Sequence, residues 1–240
     1  MNRIAGLAFR VLLAAALGSA CVWAAVGTPR VIFTKSFPGS VPAYVSIAVD
    51  KTGNFEYKEA PDDDRPLTST LNSADTANLF SLAGQLGFFK SPVESGLKVA
   101  NTGKKTFRYE PETGAASEAV FNYSVEIPAQ QLLALFEKIS STEQAWAYLD
   151  RTVHFDHLGV NQALALVESL WVEKELVTPQ QFLPLLTRIT KQESIMHLAR
   201  DRAARLKDEF EAANPADAKP DAKGTGANGP GSKSPEAKNQ

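Results

Sequence analysis

His154-Phe155-Asp156-His157 sets two imidazoles and a carboxylate within four residues, and His197 and Asp201 lie one helical turn apart further on. Imidazole and carboxylate together are a zinc ligand set, and a metal-bound water would make such a site hydrolytic. No HExxH or other metal-ligand spacing accompanies them, however. Asp156 is well placed to cap the helix that follows, and Phe155 reads as a core anchor. The expectation is therefore no metal site. An exported metal-dependent hydrolase built on His154, Asp156, His157 and His197 stands as the alternative.

Other candidate chemistry is weaker. No GxSxG elbow occurs, and the single cysteine, Cys21, falls in the N-terminal leader described below. Gly103-Lys104-Lys105-Thr106 has the end of a phosphate loop, but Lys98 stands where its first glycine belongs, and a hairpin turn accounts for the residues. Glu173 and Glu175 are two apart on a helix and do not face one another. Asp62, Asp63 and Asp64 lack the alternation, central glycine and closing glutamate of a calcium loop, so they read as a solvated turn. No catalytic residue, cofactor-binding residue, cofactor or metal is assigned. The residues with a binding capacity are Tyr44, Tyr57, Tyr109 and Tyr123, which sit in alternating strands and combine apolar area with a polar tip. They form either one binding face or the edge of the core.

The elements that would position these residues begin with Pro42 to Tyr57. Val45, Ile47 and Val49 alternate with Tyr44, Ser46 and Ala48, the pattern of a half-buried strand, and Asp50-Lys51-Thr52-Gly53 supplies the turn before Phe55 and Tyr57 return. Val31 to Phe37 reads as an earlier strand and Leu67 to Leu71 as a short later one. A helix is expected from a Ser73 cap to a Gly87 stop, followed by Phe88 and Phe89 plugging its end. Leu97 to Ala100 and Lys105 to Glu110 form a second expected hairpin, and Ala119 to Glu126 returns with Phe121, Tyr123 and Val125 alternating.

After Pro128 the apolar spacing becomes helical, with Leu132, Leu135, Phe136 and Ile139 on one stripe. Ser140 and Glu143 offer a capping box for a separate short helix carrying Trp146 and Leu149. Leu164, Val167, Leu170 and Trp171 mark the next helix. Thr178-Pro179-Gln180-Gln181 starts another, in which Pro184 should produce a kink or shift the start. A final helix from about Ser194 to Ala213 should bury Ile195, Leu198, Ala199, Leu206 and Phe210. Strands grouped before helices predict an α+β fold: an antiparallel sheet with a crossing helix over residues 25–140, then an all-helical layer or subdomain over 141–213.

Both ends differ from this body. Arg3 and Arg10 precede the apolar run Val11 to Leu17, and Val22-Trp23-Ala24 fits cleavage after Ala24, so residues 1–24 read as a signal peptide. In a lipoprotein signal a leucine would stand three residues before the modified cysteine; Leu17 is four before Cys21 and Gly18 is third. The expectation is an exported chain, periplasmic or secreted, with a lipoprotein anchored through Cys21 as the alternative. Without the leader's two arginines the 25 basic residues fall to 23 against 27 acidic ones, a net charge of −4. That balance argues against nucleic acid and against a polybasic membrane anchor, and no stretch of the mature chain is long and apolar enough to be a transmembrane segment. Residues 214–240 are dominated by Pro, Gly, Ala and Lys, which predicts a disordered tail.

Pro42, Tyr44, Gly53, Phe55, Tyr57 and the pair Phe88-Phe89 carry a resemblance. Between Val31 and about Ile139 the chain resembles a family of uncharacterised bacterial exported α+β domains. These share a Pro-x-Tyr leading into an alternating strand, a turn ending in Gly, an aromatic return strand and a helix closing in an aromatic pair. Relatives often carry a Cys just before the Pro, where this chain has Val41, so no redox role is implied. The resemblance implies an envelope or periplasmic location and this fold, with no established activity. Phe182 to Leu206 resembles a single HEAT-type repeat and reads as a helical hairpin. Together these features lead to a non-catalytic binding or interaction module of the cell envelope, whose partner is an unknown protein or a cell-wall component.

Overall fold

The structure is a computed structural model that describes residues 27–213; the expected leader and tail lie outside the described residues. The fold is α+β. Strands β1 (Arg30–Ser36), β2 (Tyr44–Asp50), β3 (Asn54–Lys58), β4 (Leu67–Thr70), β5 (Lys104–Glu110) and β6 (Ser117–Phe121) form one antiparallel sheet in the order β4-β3-β2-β1-β5-β6. The helices are α1 (Ser73–Gln85), α2 (Ile127–Phe155), α3 (Val160–Val172), α4 (Leu183–Lys191) and α5 (His197–Ala212).

Alternation in the strands sends Val31, Phe33, Val45, Ile47, Val49, Phe55, Tyr57 and Phe107 to one face, where all are buried. Leu79, Leu82 and Ala83 of α1 and Leu132, Phe136 and Ile139 of α2 close over that face. The Phe136 ring stacks on Phe33 at 5.1 Å, and Phe107 sits 5.3 Å from Phe89 and 4.8 Å from Phe121. A second core joins Ala145, Leu149 and Val153 of α2 to apolar residues of α3, α4 and α5. One 29-residue helix thus serves both cores; at 1.5 Å per residue it is about 44 Å long.

That continuity corrects the break expected at Ser140. Ser140 Oγ accepts from Gln144 Nε2 at 2.8 Å within the helix instead of capping a new one. Thr142 and Glu143 are instead engaged by the segment after α3: Val177 N donates to Thr142 Oγ1 at 3.0 Å, and Gln181 Nε2 donates to Glu143 Oε1 at 2.9 Å. With Glu143 turned to that segment and no helix breaker nearby, helical propensity carries the chain through.

Other boundaries shift for local reasons. Asn72, not Ser73, caps α1, its Oδ1 accepting from Asp75 N at 2.8 Å. Leu97 to Ala100 forms no strand: Asn122 Nδ2 takes the Ala100 carbonyl at 3.1 Å, and Ser95 N donates to Tyr123 O, so side-chain ties replace a ladder. The β6 strand ends at Phe121, short of Tyr123 and Val125. Thr178 adopts φ of 50° without capping, Pro179–Phe182 is a 3-10 turn, and Pro184 falls in the first turn of α4, so its effect is to set the helix start. Helix α5 begins at His197, and its inward stripe of Ala199, Ala203, Leu206 and Phe210 leaves Leu198 59% exposed.

Candidate functional site: the uncovered sheet face

The second face of the sheet has no such cover. Its outward residues follow from the register: Thr34 lies opposite Ser46 on β2 and Thr106 on β5, and Ile32 lies opposite Ala48 and Arg108. Ser46 pairs on with Lys58, Ala48 with Glu56, and Thr106 with Val120. None of these outward residues is buried, and among the described residues no helix packs over them. The middle of the face is a floor of Thr34, Ser46, Ala48 and Thr106 beside Ile32, and the hydroxyls of Thr34, Ser46 and Thr106 can each donate or accept. Toward β4 the face is concave, with a cavity of about 390 Å³ lined by Arg30, Ala48, Asp50, Asn54, Glu56 and Thr68 among others.

Charged side chains rim the floor. Arg30 pairs with Glu110 at 2.7 Å, Arg108 with Glu110 at 3.1 Å, and Arg108 with Glu118 at 3.3 Å, a ladder across β1, β5 and β6. Burial alone would raise the Glu110 pKa, but hydrogen bonds and charge from Arg30 and Arg108 outweigh it and hold the carboxyl below its usual range. Asp50 organises the β2–β3 turn: its Oδ1 accepts from Thr52 N at 2.8 Å, Thr52 Oγ1 at 2.6 Å and Asn54 N at 3.0 Å. Partial burial works against ionisation there too, and those hydrogen bonds prevail, so its pKa is also lowered. Both acids remain charged at neutral pH, which makes the rim a fixed polar border around a small, uncharged floor.

The four tyrosines do not gather on this surface. Tyr44 alone points outward, at the start of β2. Tyr57 is buried with Phe55, its hydroxyl donating to Glu59 Oε1 at 2.8 Å, and burial followed by the Glu59 carboxylate raises its pKa. Tyr109 is on the core face and stacks on Phe88 at 4.3 Å. Tyr123 lies beyond β6, 40% exposed at the opposite side of the sheet. Tyr44, Tyr57 and Tyr109 do sit in alternating strands, but different strands point the same residue type to different faces, and the strand expected to carry Tyr123 stops at Phe121.

The histidines likewise have separate partners. His154 Nδ1 lies 2.8 Å from Asp150 O, and its Nε2 lies 2.7 Å from Arg188 Nη1. His157 Nε2 meets Gln192 Nε2 at 3.0 Å, and His197 Nδ1 pairs with Asp201 at 2.8 Å on α5. Asp156 Oδ1 accepts from Gly159 N at 3.1 Å, in the turn between α2 and α3. Phe155, expected as a core anchor, is 86% exposed, because α2 ends there and its ring projects past the last core turn. Among the described residues no group of three or more His, Cys, Asp or Glu side chains is placed to hold a metal ion, and no helix is long and apolar enough to cross a membrane.

The sequence signal for the sheet face was present in the outward positions of the same strands. Thr34, Ser46, Ala48 and Thr106 alternate with the core residues, yet small hydroxyl and methyl side chains carry no chemistry that singles them out. Glu143 had a clearer signal, a carboxylate in the helical stripe that continues from Ile139. Compared with models of known protein families and with curated proteins, the chain matches none.

Proposed function

We propose that this chain is an exported, non-catalytic binding module of the bacterial cell envelope that holds a protein or cell-wall partner on its uncovered sheet face. The observation that carries this reading is the face itself: a floor of Thr34, Ser46, Ala48 and Thr106, open across the middle strands, with a charged rim paired among its own members. A partner settling there displaces water from small side chains, which lose little rotamer freedom, while the rim needs no rearrangement. Hydroxyls on the floor suit hydrogen bonding to a glycan or a polypeptide backbone. The metal-dependent hydrolase has no converging donor set among the described residues to support it.

Export is supported by the leader of basic residues, short apolar run and Val22-Trp23-Ala24. Mass spectrometry of the mature chain tests it: a chain beginning at Ala25 is expected, and a lipid on Cys21 would place the protein on a membrane instead. The binding reading is tested with Ala48→Arg, which sets a long charged side chain in the middle of the floor. Wild type is expected to co-sediment with isolated sacculi or to be retained by detergent-extracted envelope protein. Ala48→Arg should lose that association while keeping its circular dichroism spectrum and melting temperature. Equal retention of the two proteins would overturn the assignment to this face.

A further inference from the structure

On the core side of the sheet, where α2 passes the ends of β1 and β5, lies a cavity of about 300 Å³. Lys35 and Lys105 face each other across β1 and β5 on this side, in line with Phe33 and Phe107. Like charges directly opposite on neighbouring strands are destabilising, and a lysine is rarely buried without an anionic partner. Lys105 is only 4% exposed. Its ammonium donates to neutral oxygens alone: Thr102 Oγ1 at 2.7 Å, Asn122 O at 2.9 Å and Thr102 O at 3.4 Å. Burial first, and the Lys35 charge second, lower its pKa. Lys35 is half-buried at the same cavity and forms no ion pair or side-chain hydrogen bond with the described residues.

The rest of the wall is largely apolar, with Phe121, Tyr123, Ala129 and Leu133 among its residues, and Glu137 is the one carboxylate lining it. Glu137, and Glu94 from outside the cavity lining, both act on Lys105 through their charge. Two ammonium groups and Glu137 leave the cavity with one net positive charge. That balance suits a monoanion and disfavours a doubly charged phosphate. We infer that this cavity binds a small amphipathic carboxylate, with its carboxylate beside the Lys35 ammonium and its apolar body against Phe121, Tyr123 and Leu133. A volume near the lower end of the ligand-pocket range, about 300–1,000 Å³, limits the guest to a short acyl chain or a single aromatic ring.

Octanoate is the probe, with octanol as its neutral match and inorganic phosphate as the competing anion. Amide chemical shifts of the purified chain are followed during each titration. Octanoate is expected to shift amides of residues 102–105 and 121–130, and octanol to bind at least tenfold more weakly. Lys35→Gln, which removes no hydrogen bond of the fold, should weaken octanoate at least tenfold. Lys105→Met is the second variant; the loop ties of Lys105 make its folding the first thing to check, and Lys35→Gln decides the matter without it. Octanoate shifts confined to other residues, equal affinity for octanol, unchanged affinity in Lys35→Gln, tighter binding of phosphate, or no shift at millimolar octanoate would each overturn the inference.

Discussion

Glu143 offers the sharpest quantitative test of how the two cores are joined. It is 1% exposed, on α2 between Ile139, the last residue that this helix gives to the sheet core, and Ala145, the first it gives to the helical core. Burial raises its pKa from 4.5 to about 7, against the opposing effect of the hydrogen bond from Gln181. Below the unfolded value of 4.5 the carboxyl is protonated in both states and contributes nothing to pH dependence. Between the two values the folded protein holds a proton that the unfolded chain has released, so stability falls as pH rises. Above the folded value the whole cost is in force; at about 1.4 kcal/mol per tenfold change in proton affinity, it comes to about 3 kcal/mol. Glu143→Gln keeps an acceptor for Gln181 and removes the ionisation. In urea unfolding, the variant's stability relative to wild type should increase by about 3 kcal/mol between about pH 4 and about pH 8. A constant difference across that range would refute the buried, ionisation-averse setting assigned to this carboxylate.

Three further outcomes follow from the packing. Thr142→Val removes the acceptor for the buried Val177 N–H at nearly constant shape, and should cost about 1–3 kcal/mol in urea unfolding. Gly53 has φ of 93°, and a Cβ there would lie 2.7 Å from Thr76 Oγ1 and 2.8 Å from Leu71 O. Gly53→Ala should therefore lower stability by about 2 kcal/mol or more, read as a drop in melting temperature. Phe136→Ala leaves the buried ring of Phe33 without its stacking partner and should cost about 3–5 kcal/mol in the same measurement.

Much of this fold was legible because its core obeys simple periods. Val45, Ile47 and Val49 identified their strand, and Leu132, Leu135, Phe136 and Ile139 identified the buried stripe of α2. Failures came where a distant segment supplies the deciding contact. Ser140 and Glu143 have the local spacing of a cap, and only the fold brings Gln181 to Glu143 and Val177 to Thr142. Leu97 to Ala100 has strand-like alternation, and only the fold brings Asn122 to its carbonyl. The candidate site was harder still. Which tyrosine points outward depends on each strand's register, and the Lys35–Lys105 juxtaposition exists only once β1 and β5, nearly seventy residues apart, are paired.

Site-specific photocrosslinking in the native envelope tests the central claim most directly. A photoreactive side chain placed at Thr34, on the floor of the sheet face, is compared with one at Leu166, exposed on α3. The binding-module account predicts a discrete protein or cell-wall adduct from position 34 that is absent from position 166 and is lost when Ala48→Arg is added. No adduct from position 34, or the same adducts from both positions, would contradict it.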